Sequence, residues 1–154
     1  IREAISAAQS GNPLRGGSTL TQQLAKNLFL NGERTLCRKL RELLYALDLE
    51  RVFSKEVVLA LYLNVVEFGP GIHGISEGAD AYFLKPPSAL TLKEAAFLAS
   101  ILPAPRTAWE RARQRGTSQQ WRVNTVLDRL AEIGRFPPEQ ICRAKQEPLR
   151  FVVE

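Results

Sequence analysis

Residues 15–27 read RGGSTLTQQLAKN. Two glycines lead into hydroxyls, two glutamines, a lysine and an asparagine, more hydrogen-bonding groups than a helix needs in order to pack. Gly16 and Gly17 let the backbone approach a ligand closely. Ser18 and Thr19 then stand at a helix start, where free N–H groups and the helix dipole favour an anion. Thr19 and Gln22 have capping-box spacing, and Leu20, Leu24 and Leu28 supply an apolar stripe. Gln22 and Lys26 are four apart, as are Gln23 and Asn27, so each pair stacks on the helix surface. An ordinary capped amphipathic helix with a solvated polar face has the same pattern, so this segment alone does not decide for a ligand.

The next helix adds weight. Leu36, Leu40, Leu43 and Leu47 predict one helical face, while Arg34, Arg38 and Glu42 are spaced by four along another stripe flanked by Arg41 and Tyr45. Two guanidiniums leading to a carboxylate suit phosphate binding beside an acid–base group. The competing reading is an exposed ion-pair ladder worth a few tenths of a kcal/mol per pair.

Helical patterns fill most of the remaining chain. IREAISAAQS (residues 1–10) has helical spacing, and Ser54 predicts the cap of a helix running through Leu63. FGPGIHG (68–74) reads as a turn-rich loop, followed by a helix around Ile75 to Phe83. TLKE (91–94) is a capping box opening a helix that Pro103 stops. RTAWERARQRGTSQQ (106–120), polar and basic, reads as an exposed connection. Val123, Val126, Leu127 and Leu130 mark a further helix ended at Gly134, and FPPEQICRAKQEPL (136–149) offers a last short one. No alternating apolar segments support a sizeable sheet, so the expected class is mainly α.

Composition sets outer bounds. At 154 residues with 45% hydrophobic content, the chain can build one core, and a net charge of +5 makes acidic partners plausible without choosing among them. No apolar run of about 20 residues is present, and the absence of methionine suggests a fragment or processed form. Cys37 and Cys142 lack metal spacing and are expected as structural thiols; His73 is expected as a loop residue and Tyr82 and Phe83 as core. Trp109 and Trp121 are expected as surface-packing aromatics, and Arg111, Arg113 and Arg115 as a solvated run.

GGSTLTQQLAKN (16–27), RKLRELLYALDLE (38–50) with SKEVVLALYLN (54–64), GPGIHGISEGADAYFLK (69–85) and LTLKEAAFLASILPAPR (90–106) resemble, in order and spacing, four successive sequence blocks of the peptidoglycan glycosyltransferases. The resemblance implies a lysozyme-like helical lobe over residues 1–105, with residues 106–154 as a basic connection and C-terminal helical appendage. It implies polymerisation of lipid II with release of undecaprenyl diphosphate, at the outer face of the bacterial cytoplasmic membrane, anchored by a segment outside this chain. Implied partners are lipid II, the nascent glycan strand, the membrane surface and other cell-wall synthesis proteins; nucleic acid is not among them. Carried over by position, the resemblance implies that Ser18, Gln22, Gln23, Lys26, Asn27, Arg34, Arg38 and Lys39 bind substrate and that Glu42, the second family carboxylate, is catalytic. A divalent cation, magnesium or manganese, is implied as cofactor, with ligands unassigned.

The sequence also departs from the family. A Glu-Asp pair supplies the general base in family members, and no such pair occurs in this chain, so the polypeptide is expected to be inactive or nearly so. A non-catalytic module that binds lipid II or a cell-wall partner is the alternative; a lytic enzyme of the same architecture lacks its motif here. Ala60 stands where an acidic residue is usual, Gly78 where alanine is preferred and Leu84 where glycine precedes the lysine. Inside a helix Gly78 is expected to cost about 1 kcal/mol against alanine.

Overall fold

The computed structural model describes residues 19–30, 35–115 and 120–152. The helix expected over residues 1–10 and the glycine pair at 16–17 lie outside them. The chain forms two compact units, which divide between Tyr62 and Leu63. Among the described residues the class is mainly α, as expected, and no helix is long and apolar enough to cross a membrane.

In the first unit, helix α1 (Leu20–Phe29) opens on the expected capping box. The Gln22 N–H donates to Thr19 Oγ1 and the Thr19 N–H to Gln22 Oε1, both at 3.2 Å. Helix α2 (Leu36–Val52) starts where Thr35 Oγ1 accepts from the Arg38 N–H at 3.1 Å. The two helices pack together, with Thr21, Leu24 and Ala25 buried on α1 and Glu42, Ala46 and Leu49 on α2. The leucine stripe of α2 is turned about a third of a turn away from that buried face, and Leu36 and Leu40 are 90% and 60% exposed. Its apolar periodicity is real, but the inward side holds a carboxylate, an alanine and one leucine. Helix α3 (Lys55–Val65) begins at Ser54, whose Oγ accepts from the Val57 N–H at 3.4 Å, and buries Val58 and Tyr62.

The second unit starts from a hairpin rather than a loop. Strands β1 (Glu67–Gly69) and β2 (Ile72–His73) pair antiparallel around Pro70 and Gly71, the latter at φ 74°. Helix α4 (Gly74–Phe83) follows, its N-terminus held by the His73 N–H donating to Glu77 Oε2 at 2.9 Å. One 3₁₀ turn (Pro87–Ala89) leads to α5 (Leu92–Ile101), which carries the expected Thr91–Glu94 capping box. The polar segment expected as an exposed connection is in fact helix α6 (Pro105–Arg115) over much of its length. Ala108 and Ala112, four apart, are buried there, and with the half-buried Trp109 they anchor a helix whose exposed side is largely basic. Helix α7 (Gln120–Glu132) packs on α5, and α8 (Pro138–Gln146) packs on both.

Two devices hold this unit together. Tyr82, Phe83, Phe97, Trp109 and Phe151 form an aromatic cluster, and the buried Tyr82 hydroxyl donates to the Phe68 carbonyl at 3.0 Å. Burial holds that phenol well above its ordinary range. Lys93, 2% exposed, sends its ammonium to the end of α8, donating to the Lys145 carbonyl at 2.9 Å and to that of Glu147. Burial lowers the Lys93 pKa and Glu147 opposes the shift; the hydrogen bonds satisfy carbonyls that a helix end leaves open. Tyr82 and Phe83 are core as expected, and Trp109 is half-buried against Tyr82 while Trp121 is exposed. The two cysteines differ from expectation: both are exposed and free, not packed thiols.

Gly78 and Leu84 acquire a physical reading. A Cβ at Gly78 would lie 2.8 Å from Cγ of Phe68, a ring only 1% exposed, so glycine is what lets β1 seat that ring on α4. Leu84 ends α4 at φ 51°, a left-handed conformation that favours glycine. Nothing in the structure explains Ala60. Gly78→Ala gains about 1 kcal/mol of helix propensity but overpacks by about 1–3 kcal/mol; a net loss in urea-unfolding free energy is expected. Leu84→Gly, at a side chain 66% exposed, relieves strain and should raise stability by about 0.5–1 kcal/mol in the same measurement.

Candidate functional site

Within the first unit, α1 and α2 carry the residues singled out by the sequence. Gln23, Lys26 and Asn27 are exposed, and their spacing of three and four places them on one face of α1. Gln22 is half-buried, and its carbonyl oxygen closes the capping box, so its first task is to start the helix. Ser18 and Arg34 lie outside the described residues.

Glu42 is the centre of the α2 cluster. It is 2% exposed, with Oε2 accepting from Arg38 Nη1 at 3.3 Å and Oε1 paired with Lys39 Nζ. These partners sit four and three residues earlier, so a single helix supplies the carboxylate and both cations. A buried carboxylate without such partners would be strongly unfavourable. Arg38 turns Nη1 to Glu42, while its buried Nε has no hydrogen-bond partner among the described residues. Among the described residues of the candidate set, Lys26, Arg38 and Lys39 set three cations against one carboxylate, a balance suited to an anionic, oxygen-rich ligand.

Tyr62 was not legible as a site residue. Its ring is 3% exposed on α3, and its hydroxyl donates to Gln23 Oε1 at 3.2 Å. Burial raises the phenol's pKa, which keeps the donor protonated. The available signal was a tyrosine inside the apolar run LALYLN (59–64): a buried phenol needs a polar partner. The first unit also holds a cavity of about 690 Å³ between the start of α1 and the α2–α3 turn, lined by Thr19, Leu20, Glu50, Phe53, Lys55 and Val58 among others. Among the described residues, none of the candidate binding residues lines it.

A resident divalent cation needs converging oxygen or nitrogen ligands. Among the described residues no three His, Cys, Asp or Glu side chains converge, and both Glu42 oxygens already bond cations. These residues do not by themselves fit a protein-held metal.

Comparison with known proteins gives consistent matches. The family model described as Transglycosylase matches residues 1–131. The chain is 44% identical over 154 residues to penicillin-binding protein 1A of Aquifex aeolicus, covering 97% of this chain and 20% of that protein. It is 50% identical over 105 residues to the biosynthetic peptidoglycan transglycosylase of Shewanella amazonensis, covering 68% of this chain and 43% of the relative. The 2.6 Å crystal structure of penicillin-binding protein 1A from Haemophilus influenzae matches in fold with a TM-score of 0.59 at 23% identity, over 92% of this chain and 18% of that one. The chain thus spans less than half the length of these proteins.

The α2 cluster makes a direct prediction. Glu42→Gln keeps the side-chain volume and removes the charge that both cations share. Because Lys39 is half exposed, the loss is expected at about 1–3 kcal/mol of unfolding free energy. Urea titration of the single variant checks it, and an unchanged midpoint would show that the cluster does not support the unit.

Proposed function

The chain belongs to the transglycosylase family, and from that premise we propose that its first unit binds lipid II and the nascent glycan strand by their diphosphate during glycan polymerisation. The observation that carries this reading is the buried Glu42 holding Arg38 and Lys39 in place on a helix that packs on α1, whose outward face carries the exposed Gln23, Lys26 and Asn27. Guanidinium and ammonium groups suit diphosphate oxygens, and the amides suit sugar hydroxyls. The setting is the cell envelope, at the outer face of the cytoplasmic membrane, where a lipid-borne diphosphate is presented. Other cell-wall synthesis proteins are natural neighbours there.

In the reaction proposed, the 4-hydroxyl of one lipid II attacks the anomeric carbon at the reducing end of the growing chain. An oxygen–carbon bond forms, the bond to undecaprenyl diphosphate breaks, and the hydroxyl proton passes to a carboxylate base. Negative charge grows on the departing diphosphate, and that is where Lys26, Arg38 and Lys39 act. Glu42 organises cations with both oxygens, so it is assigned to the leaving-group side and not to the proton. A binding role without turnover is the second reading.

Removing one charge-assisted contact costs about 1.5–3 kcal/mol, or about 10- to 100-fold in affinity. Lys26→Ala should therefore weaken binding of lipid II or of a moenomycin-like phosphoglycolipid by that factor, read by titration in detergent micelles, with unchanged unfolding free energy. Retained affinity would remove Lys26 from the site. The two readings separate when a segment bearing the Glu-Asp pair is joined ahead of these residues. Glycan polymerisation then supports the enzyme, and binding without polymerisation supports the module.

A further inference from the structure

We propose that Tyr62 is a positioning residue that fixes the side-chain amide of Gln23 with its nitrogen turned to the ligand. The inference rests on the reading of Gln23 as a ligand contact and adds what makes that contact selective. A glutamine amide has two ends of similar size and opposite hydrogen-bonding character. On an exposed helix face it rotates freely and offers a donor or an acceptor with little preference. Here one end is engaged. The Tyr62 hydroxyl reaches Gln23 Oε1 at 3.2 Å across 39 residues of sequence, from a ring that is 3% exposed and held by the core. Gln23 itself is exposed, so the other end of the amide remains accessible to a ligand.

The consequence is chemical. With Oε1 accepting from the phenol, the two Nε2 hydrogens remain, and Gln23 presents donors only. Donors suit phosphate oxygens and sugar oxygens, the acceptor-rich groups of a lipid-linked disaccharide diphosphate, and they complement Lys26 three residues on. An amide flipped to present its oxygen would face the phosphate oxygens with repulsion. Tyr62 therefore acts on the ligand through Gln23, without touching it.

The test is a double-mutant cycle in the complete chain, with lipid II in detergent micelles as probe and unfolding free energy measured alongside. Tyr62→Phe retains the buried ring and removes one oxygen. It is expected to weaken lipid II binding about tenfold in the native background and to have no effect in the Gln23→Ala background, since nothing is then left to orient. Gln23→Glu should lose affinity more than Gln23→Ala, because it sets an acceptor where donors belong. Unchanged binding by Tyr62→Phe overturns the proposal, and so does an equal loss in both backgrounds, which would mark a structural role. Lys26→Ala run in parallel keeps the two ideas apart. If it weakens binding while Tyr62→Phe does not, the orientation of Gln23 is refuted and the diphosphate reading stands.

Discussion

A carboxylate removed from water must have its charge answered, and that constraint at Glu42 organises the first unit. Its partners come from one turn earlier on the same helix, so Arg38 is largely covered beside Glu42 while Lys39 reaches the carboxylate from a half-exposed position. Ala46 and Leu49 continue that face and meet the packing side of α1 with little bulk between the helices. The stripe of Leu36, Leu40, Leu43 and Leu47 is left outward as a result. An amphipathic helix normally buries its apolar stripe because each buried leucine contributes about 1.5–3 kcal/mol. Here that stripe is exposed, and the inward face holds the Glu42 carboxylate that the two cations answer. The arrangement is one in which holding cations in fixed positions takes precedence over burying area.

The second unit solves a different problem with a different device. Phe68 on β1 must reach a helix surface, and Gly78 is the gap into which its ring fits. From that contact the Tyr82 hydroxyl reaches back to the Phe68 carbonyl, and its ring sits among Phe97, Trp109 and Phe151. Lys93 then fastens the end of α8 to α5 through carbonyls that would otherwise be open. A glycine that looks like a helix weakness and a lysine that looks like a surface charge are both parts of the packing. Each is interpretable only with its long-range partner in view.

That difference marks what could be read from the residues alone. Local chemistry was legible: the capping boxes at Thr19 and Thr91, the helix stop near Gly134 and the hydrogen-bonding face of α1 all depend on residues within four positions of each other. The pairing of Arg38 with Glu42 was legible for the same reason. Burial was not. The spacing of Arg38 and Glu42 is shared by an exposed ladder and by a buried clamp, and only the packing of α1 on α2 separates them. Segment 106–120 looked like a connection because its charge dominates any average, while Ala108 and Ala112, with Trp109 against Tyr82, seat α6. Tyr62 and Gln23 are 39 residues apart, and no periodicity relates them.

Placed side by side, Gln22 and Gln23 show how one helix turn divides its work. They are adjacent and chemically identical, yet a helix directs neighbours about 100° apart, so their amides meet different surroundings. Gln22 turns back to the first free N–H of the helix and fixes where α1 begins. Gln23 turns to a phenol of α3, which settles which end of its amide is engaged. The first interaction sets the height of the residues along the α1 axis, and the second sets the polarity of one of them. Lys26 and Asn27 inherit their places from the same start, since every later residue is displaced by a fixed rise and rotation. A polar stretch with more hydrogen-bonding groups than a helix needs is thereby accounted for: some build the helix end, and the rest are left facing outward from it.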